Sequence, residues 1–81
     1  MKWFIYIIET KNKKLYTGIT TNLERRFKEH KTHKKGAKFF NTDSAKKIVY
    51  FETAKNRSKA SKREHEIKNL SRTDKLKLIS T

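Results

Sequence analysis

The segment from Trp3 to Ile8 is aromatic or aliphatic at every position, so both faces of a strand built from it are apolar. Such a strand needs cover on both sides, which is typical of the central strand of a sheet. A chain of 81 residues has room for only one core. The segment therefore predicts one domain, residues 1–81, in which a sheet is covered on both faces.

The rest of the chain predicts two more strands and three helices. Residues 15–19 follow a polar turn and make residues 3–19 a β-hairpin, and residues 47–53 form a third strand. Capping boxes at residues 21–24 and 71–74, and a capping Asn56, predict helices over 22–32, from 56 to about 70, and after 71. Residues 36–42 are a loop or a helical turn. The predicted order is ββα, a loop or short helix, then βαα, which is an α/β (α+β) chain.

The charge of the chain indicates its partner. There are 22 Lys and Arg residues against 8 Asp and Glu, a formal net charge of +14. The plainer interpretation is a soluble cationic surface, but a polyanion such as nucleic acid relieves this self-repulsion and is favoured. The apolar run at the N-terminus is too short for a signal peptide or a membrane span, and the chain has no cysteine. We therefore expect a cytoplasmic protein without a membrane partner.

The helix over residues 22–32 places Arg26 and His30 on the same stripe as Leu23 and Phe27, its only large apolar residues. A buried guanidinium is costly unless it is paired, so an inward Arg26 needs a carboxylate or a phosphate. Taken singly, Arg26 could extend to solvent and His30 could be an ordinary core-edge histidine. Arg26 and His30 lie one helical turn apart, and this combination favours a functional site over the two plain alternatives.

Two tyrosines of the hairpin form a second group. If the loop consists of residues 10–12, Tyr6 and Tyr16 lie directly opposite each other on one face. Paired aromatic residues across a hairpin usually indicate core packing. Gly18, two residues after Tyr16, allows backbone or ligand to approach closely.

Carboxylates are scarce, and the helix after Asn56 carries two of them, Glu64 and Glu66. They lie on opposite flanks of its apolar stripe, and helical geometry does not choose between them. Helical glutamates are most often solvated or ion-paired.

Several of these motifs resemble those of the GIY-YIG nucleases: Phe4-Ile5-Tyr6, Tyr16-Thr17-Gly18, Arg26 with His30, and Asn56-Arg57-Ser58 followed by Ala60 and Glu64. The resemblance runs from Trp3 to Ile79 and is strongest to the short stand-alone bacterial members. The chain departs from the family pattern in two places. Phe4 replaces the first-motif glycine, and Ile19 stands where the repair enzyme of the family has a lysine.

The resemblance implies three antiparallel strands flanked by helices, and hydrolysis of DNA phosphodiesters with one divalent ion, Mg²⁺ or Mn²⁺. It implies that Glu64 rather than Glu66 binds the metal and that Arg26 contacts the scissile phosphate. Tyr6 and Tyr16 correspond to the motif tyrosines, with Tyr16 as the base, and His30 to a histidine or tyrosine of the site. A phenol of pKa ~10 is ionised in about one molecule in a thousand at pH 7. Tyr16 therefore needs help from the metal, the cationic field or His30.

We expect electrostatic, weakly sequence-selective DNA binding, because the basic residues are distributed and no reading element is evident. The residues expected to contact DNA are Gly18, Arg25, Lys38, Arg57 and Lys68. The leading function is a metal-dependent endonuclease that acts as a monomer, and its narrower form is a structure-selective nuclease linked to repair or recombination. The alternatives are a non-catalytic nucleic-acid-binding module with the same fold and a small basic protein of an RNA assembly.

Overall fold

The computed structural model describes residues 2–32 and 44–80. Within these ranges the chain forms three strands and three helices: β1 (Trp3–Thr10), β2 (Leu15–Thr20), α1 (Leu23–Thr32), β3 (Ala45–Ala54), α2 (Arg57–Lys68) and α3 (Arg72–Ile79). The predicted loop or short helix at 36–42 lies outside the described residues. None of the described helices is long and apolar enough to cross a membrane.

The three strands form an antiparallel sheet in the order β2-β1-β3, which confirms that the apolar first strand is central. On one face, Ile5 and Ile7 pack with Ala60 and Ile67 of α2, and α3 adds its last apolar residues to this cluster. On the other face, Tyr6 and Ile8 pack against α1. Both sides of β1 are covered, as its composition requires.

The hairpin register differs from the one expected. Tyr6 pairs with Gly18, and Tyr16 pairs with Ile8, so the tyrosines are diagonal neighbours on one face and are not directly opposite. Thr10 stays in β1 and its amide donates to the Lys14 carbonyl at 2.9 Å, so this backbone pair closes a turn of residues 11–13; the Thr10 hydroxyl also accepts a hydrogen bond from the Lys14 amide at 3.0 Å. Lys13 supplies the left-handed residue of the turn, with φ of 63°. A lysine is not a usual residue for that conformation, so no local pattern predicted it.

The helix N-termini agree with the sequence at two of three places. Asn56 caps α2 and Ser71 caps α3, each accepting from the amide three residues on. The first capping box was assigned one residue too early: the side chain of Asn22, not that of Thr21, accepts from the Arg25 amide at 3.0 Å. The Thr20 hydroxyl accepts a hydrogen bond from the Asn22 amide at 3.1 Å, which keeps Asn22 in position to cap the helix.

Candidate active site

The Tyr6 hydroxyl lies 2.8 Å from Nε2 of His30, and both side chains are buried, with 2% of Tyr6 and 0% of His30 exposed. The bond connects the central strand to α1 on the inward stripe that the helix pattern predicted. Within that stripe, His30 is fully buried and Arg26 is half-buried at its side.

Gly18 provides the space for the Tyr6 phenol. A Cβ built at Gly18 would lie 2.5 Å from the Tyr6 hydroxyl oxygen and 3.2 Å from the ring of Tyr16. The backbone of Gly18 is not left-handed, so the glycine is required for close approach and not for an unusual φ. Gly18 belongs to β2, an edge strand of the sheet. The phenol of Tyr6 therefore extends from the central strand β1 across β2.

Tyr16 completes an aromatic cluster with Tyr6 and His30. Its ring centroid is 5.3 Å from that of His30 and 6.4 Å from that of Tyr6. Unlike Tyr6, Tyr16 is only half-buried. Tyr16 is therefore the more exposed of the two tyrosines.

Arg26 is paired with a carboxylate, as its inward position on the helix predicted. Its guanidinium forms an ion pair with Glu29 at 3.0 Å and also hydrogen-bonds to the Tyr6 hydroxyl. About a third of the Arg26 side chain stays exposed, 30%, so the guanidinium is both anchored and accessible to an incoming anion. Glu29 lies off the stripe that carries Arg26 and His30, and its i, i+3 spacing from Arg26 is the sequence signal that identifies it as the partner.

Burial determines the protonation of the two buried groups. It raises the pKa of the Tyr6 phenol to about 12, with the neighbouring Tyr16 phenol acting in the same direction. It lowers the pKa of the His30 imidazole to about 4, helped by the positive charge of Arg26. Both groups are therefore neutral at pH 7. Because a guanidinium can only donate, the Tyr6 oxygen accepts from Arg26, and the same hydroxyl shares one further hydrogen bond with His30 Nε2.

Glu64 lies on α2, and its side chain is 23% exposed and paired with Lys68 at 3.4 Å. After burial and the Tyr16 phenol, its negative charge also contributes to the raised pKa of Tyr6. Glu66 is different: it is 54% exposed and pairs with Arg63 at 3.5 Å. Arg63 in turn binds Glu52 of β3 at 2.6 Å, which fixes how α2 sits on the sheet. Of the two glutamates, only Glu64 acts on the tyrosine cluster.

The side chains available as metal ligands suit a Mg²⁺-like divalent cation. Among residues 2–32 and 44–80, no three His, Asp or Glu side chains come together as a metal site. A zinc site built from three or four protein ligands does not fit such a set. Mg²⁺ and similar ions commonly take one or two carboxylates and complete their shell with water and substrate phosphate. Glu64, a single partly exposed carboxylate whose charge contributes to the raised pKa of Tyr6, fits that pattern.

A groove of about 290 Å³ opens beside Arg26 at the junction of β2, α1 and α2. Arg25 and Arg57, both expected to contact DNA, line it, and the Arg57 guanidinium carbon lies 5.9 Å from the Trp3 ring centroid, a cation–π distance. The other lining residues are Trp3, Ile19, Thr20, Thr21, Arg26 and Glu29.

The remaining expected contacts are placed differently. Gly18 lies beneath Tyr6, and Lys68 lies at the far end of α2 beside Glu64. Lys38 lies outside the described residues. Trp3 was expected only as a strand residue and is an addition to the groove.

Comparison with known proteins matches residues 2–77 to the GIY-YIG catalytic domain. A UPF0213 protein of Desulfotalea psychrophila is 48% identical over 77 residues, which cover 95% of this chain and 70% of that protein. The UPF0213 protein YhbQ of Escherichia coli is 38% identical over 78 residues, which cover 96% and 77% of the two chains. The solution NMR structure of a UPF0213 protein from Bacillus halodurans superposes with a TM-score of 0.59 at 34% identity, covering 99% of this chain and 84% of that one.

Proposed function

The chain belongs to the GIY-YIG nuclease family, among the short UPF0213 proteins, and on that premise we propose that it is a DNA endonuclease dependent on one divalent metal ion. The observation that carries the proposal is the convergence of Tyr6, Tyr16, Arg26 and His30 on one face of the sheet, with the charge of Glu64 contributing to the raised pKa of Tyr6.

Substrate binding is supported by the arginine groove. Arg25, Arg26 and Arg57 line one opening, and a guanidinium can bind two phosphate oxygens at once. The phosphate would bind at Arg26, which its ion pair with Glu29 holds in place. From there Arg26 stabilises the negative charge that grows on the phosphoryl oxygens during hydrolysis.

The tyrosines take different roles in this proposal. Tyr16, half-buried, accepts the proton of the attacking water in its phenolate form. Tyr6 is enclosed and bonded to His30, and it positions Arg26 through its hydroxyl. His30, neutral at pH 7, holds Tyr6 and supplies no positive charge to Tyr16.

Glu64 would hold the metal ion, Mg²⁺ or Mn²⁺. When bound, such an ion lowers the pKa of water and neutralises charge on a phosphate. The carboxylate is partly exposed and its partner Lys68 is a surface residue, so an ion can replace that ion pair at modest cost.

The test is Glu64→Gln, which keeps the size of the side chain and removes its charge. Cleavage of DNA in Mn²⁺ should fall below detection, because losing the metal costs several kcal/mol of transition-state stabilisation. DNA affinity in EDTA should hold or rise slightly. Glu66→Gln is the matched control on the same helix, and it should cut like the parent.

Two outcomes contradict the proposal. If both variants cut like the parent, the metal is held elsewhere. If Glu64→Gln unfolds the chain, Glu64 is mainly a structural partner of Lys68.

A non-catalytic DNA-binding module is the second candidate, because Arg26 and Glu64 both have ion-pair partners within the chain. Such a module would bind DNA equally with and without metal and would never cut it. We further propose a single-domain monomer that acts in the cytoplasm on DNA repair or recombination structures, with any recruiting protein still to be found.

A further inference from the structure

A second cationic pocket lies at the hairpin end of the molecule, away from the arginine groove. It has a volume of about 230 Å³ and is lined by Lys14, Leu15, Arg72 and Lys75. The Arg72 guanidinium donates to the Lys13 carbonyl at 2.7 Å, so α3 is fastened to the hairpin turn. The pocket is therefore shaped by two elements that are distant in the chain.

The charge of this pocket is unbalanced. Of the four lining residues in the part of the chain that the structure describes, three are cationic and none is a carboxylate. Lys75 is half-buried and lines the pocket together with two other cations. An arrangement of this kind is relieved by an anion, and a phosphate is the anion that lysine and arginine together commonly bind.

The position of the pocket relates it to the candidate active site. It adjoins Leu15 at the start of β2, whereas the arginine groove adjoins Thr20 at the end of the same strand. β2 has six residues and spans about 17 Å. Tyr16 and Gly18, with the phenol of Tyr6 above them, lie between the two ends.

Helix α2 follows the same course. It begins at Arg57 in the arginine groove, its twelve residues span about 18 Å, and it ends at Lys68, shortly before Arg72. Glu64 lies between these ends. The two cationic sites thus adjoin opposite ends of β2 and α2, the elements that carry Tyr16, Gly18 and Glu64.

We propose that Lys14, Arg72 and Lys75 bind a backbone phosphate of the DNA, so that the DNA runs along β2 and is held on both sides of the cleavage site. The inference rests on the proposed function, since it takes DNA as the ligand. One strand carries a phosphate every ~3.4 Å of helix axis, so the two holding points lie roughly five phosphates apart.

The test compares pairs of Lys→Gln variants that change the net charge equally. Lys75→Gln and Lys14→Gln remove cations of the pocket. The two controls remove exposed cations outside the pocket. Lys77→Gln lies on the same helix as Lys75, and Lys11→Gln lies in the turn that precedes Lys14. Affinity for a labelled DNA duplex is measured in EDTA over a series of salt concentrations, and thermal melting checks that each variant folds.

Each pocket variant should lower the slope of log affinity against log salt by about one, and weaken binding near 0.1 M salt by about five- to tenfold. The two outside variants should keep the parental slope. A slope that falls equally in all four variants, or in none, overturns the inference.

Failure of the inference is distinguishable from failure of the proposed function. If the pocket variants bind and cut like the parent, the nuclease proposal stands and the second holding point does not exist. If the parent itself does not bind duplex DNA at low salt, both fail.

Discussion

Burial separates the two tyrosines of the site, although both carry the same phenol. Tyr6 is 2% exposed, its pKa is raised to about 12 by burial, and its hydroxyl is committed to His30. Tyr16 is half-buried and borders the same histidine through its ring. Water can reach Tyr16, which makes it the better candidate for a group that takes a proton.

Replacing Tyr16 by Phe keeps the ring and removes the hydroxyl. We expect cleavage to fall by about 10²-fold or more, since a general base contributes on this order, while the melting temperature changes little. Tyr6→Phe should behave differently, because it leaves Nε2 of buried His30 without its hydrogen bond and costs about 1–3 kcal/mol of stability. If Tyr16→Phe cleaves DNA at the parental rate, Tyr16 is a packing residue and not the general base.

His30 makes stability depend on pH. Burial lowers its pKa from 6.5 to about 4, so between these values the unfolded chain binds a proton that the folded chain does not. Unfolding free energy should therefore fall as the pH is lowered from about 6.5 to about 4, at no more than about 1.4 kcal/mol per pH unit.

Urea unfolding at several pH values measures this effect. Burial acts to raise the pKa of Glu52, but the hydrogen bonds from Arg63 and Tyr50 outweigh it and lower that pKa below its ordinary value. The stability that this carboxylate contributes is therefore lost only below the pH range in which His30 acts. The interval from pH 5 to pH 7 is thus diagnostic of histidine. His30→Gln should flatten the profile there, whereas His65→Gln, at an exposed position, should not. A parental profile in His30→Gln would show that another group titrates.

At the scale of elements, the hairpin register places the site. The three-residue turn pairs Tyr6 with Gly18, so the phenol crosses β2 at the one position of that strand without a side chain. Shifting the pairing by two residues would put Tyr16 or Thr20 there instead. The turn residues 11–13 thus control a site that they do not contact.

Gly18→Ala tests this dependence. The added methyl group would lie 2.5 Å from the Tyr6 oxygen, so the phenol must move and its bond to His30 must weaken. We expect a loss of about 1–3 kcal/mol of stability and a fall in cleavage. In a Tyr6→Leu background, where the phenol is absent, the same substitution should cost much less. Equal costs in both backgrounds would mean that Tyr6 is not what the methyl group meets.

At the scale of the whole molecule, charge dominates. A net charge of +14 on 81 residues predicts binding driven by release of counterions from DNA, with little preference for sequence. If the footprint neutralises about six phosphates, affinity should fall roughly a thousandfold from 50 to 200 mM salt. Fluorescence anisotropy with duplexes of unrelated sequence measures this, and a flat salt response or a strong preference for one duplex would contradict it.

Sequence patterns by themselves determined the order of elements and the family. The apolar run of β1 required cover on both faces, and the helices provide that cover. Asn56 and Ser71 marked two helix starts because a cap is a contact between residues three apart. The stripe that carries Arg26 and His30 was equally local, since it depends only on the helical repeat.

Only the tertiary structure decided the register, the environment of each side chain and the shape of the grooves. Whether Tyr6 or Tyr16 is buried depends on a turn held by the Thr10 hydroxyl and a left-handed Lys13. Glu64 and Glu66 are alike on an isolated helix, and they differ because α2 is seated on the sheet through Glu52 and Arg63. Burial and distance are properties of segments far apart in the chain, so a local pattern that indicates which face is apolar cannot specify them.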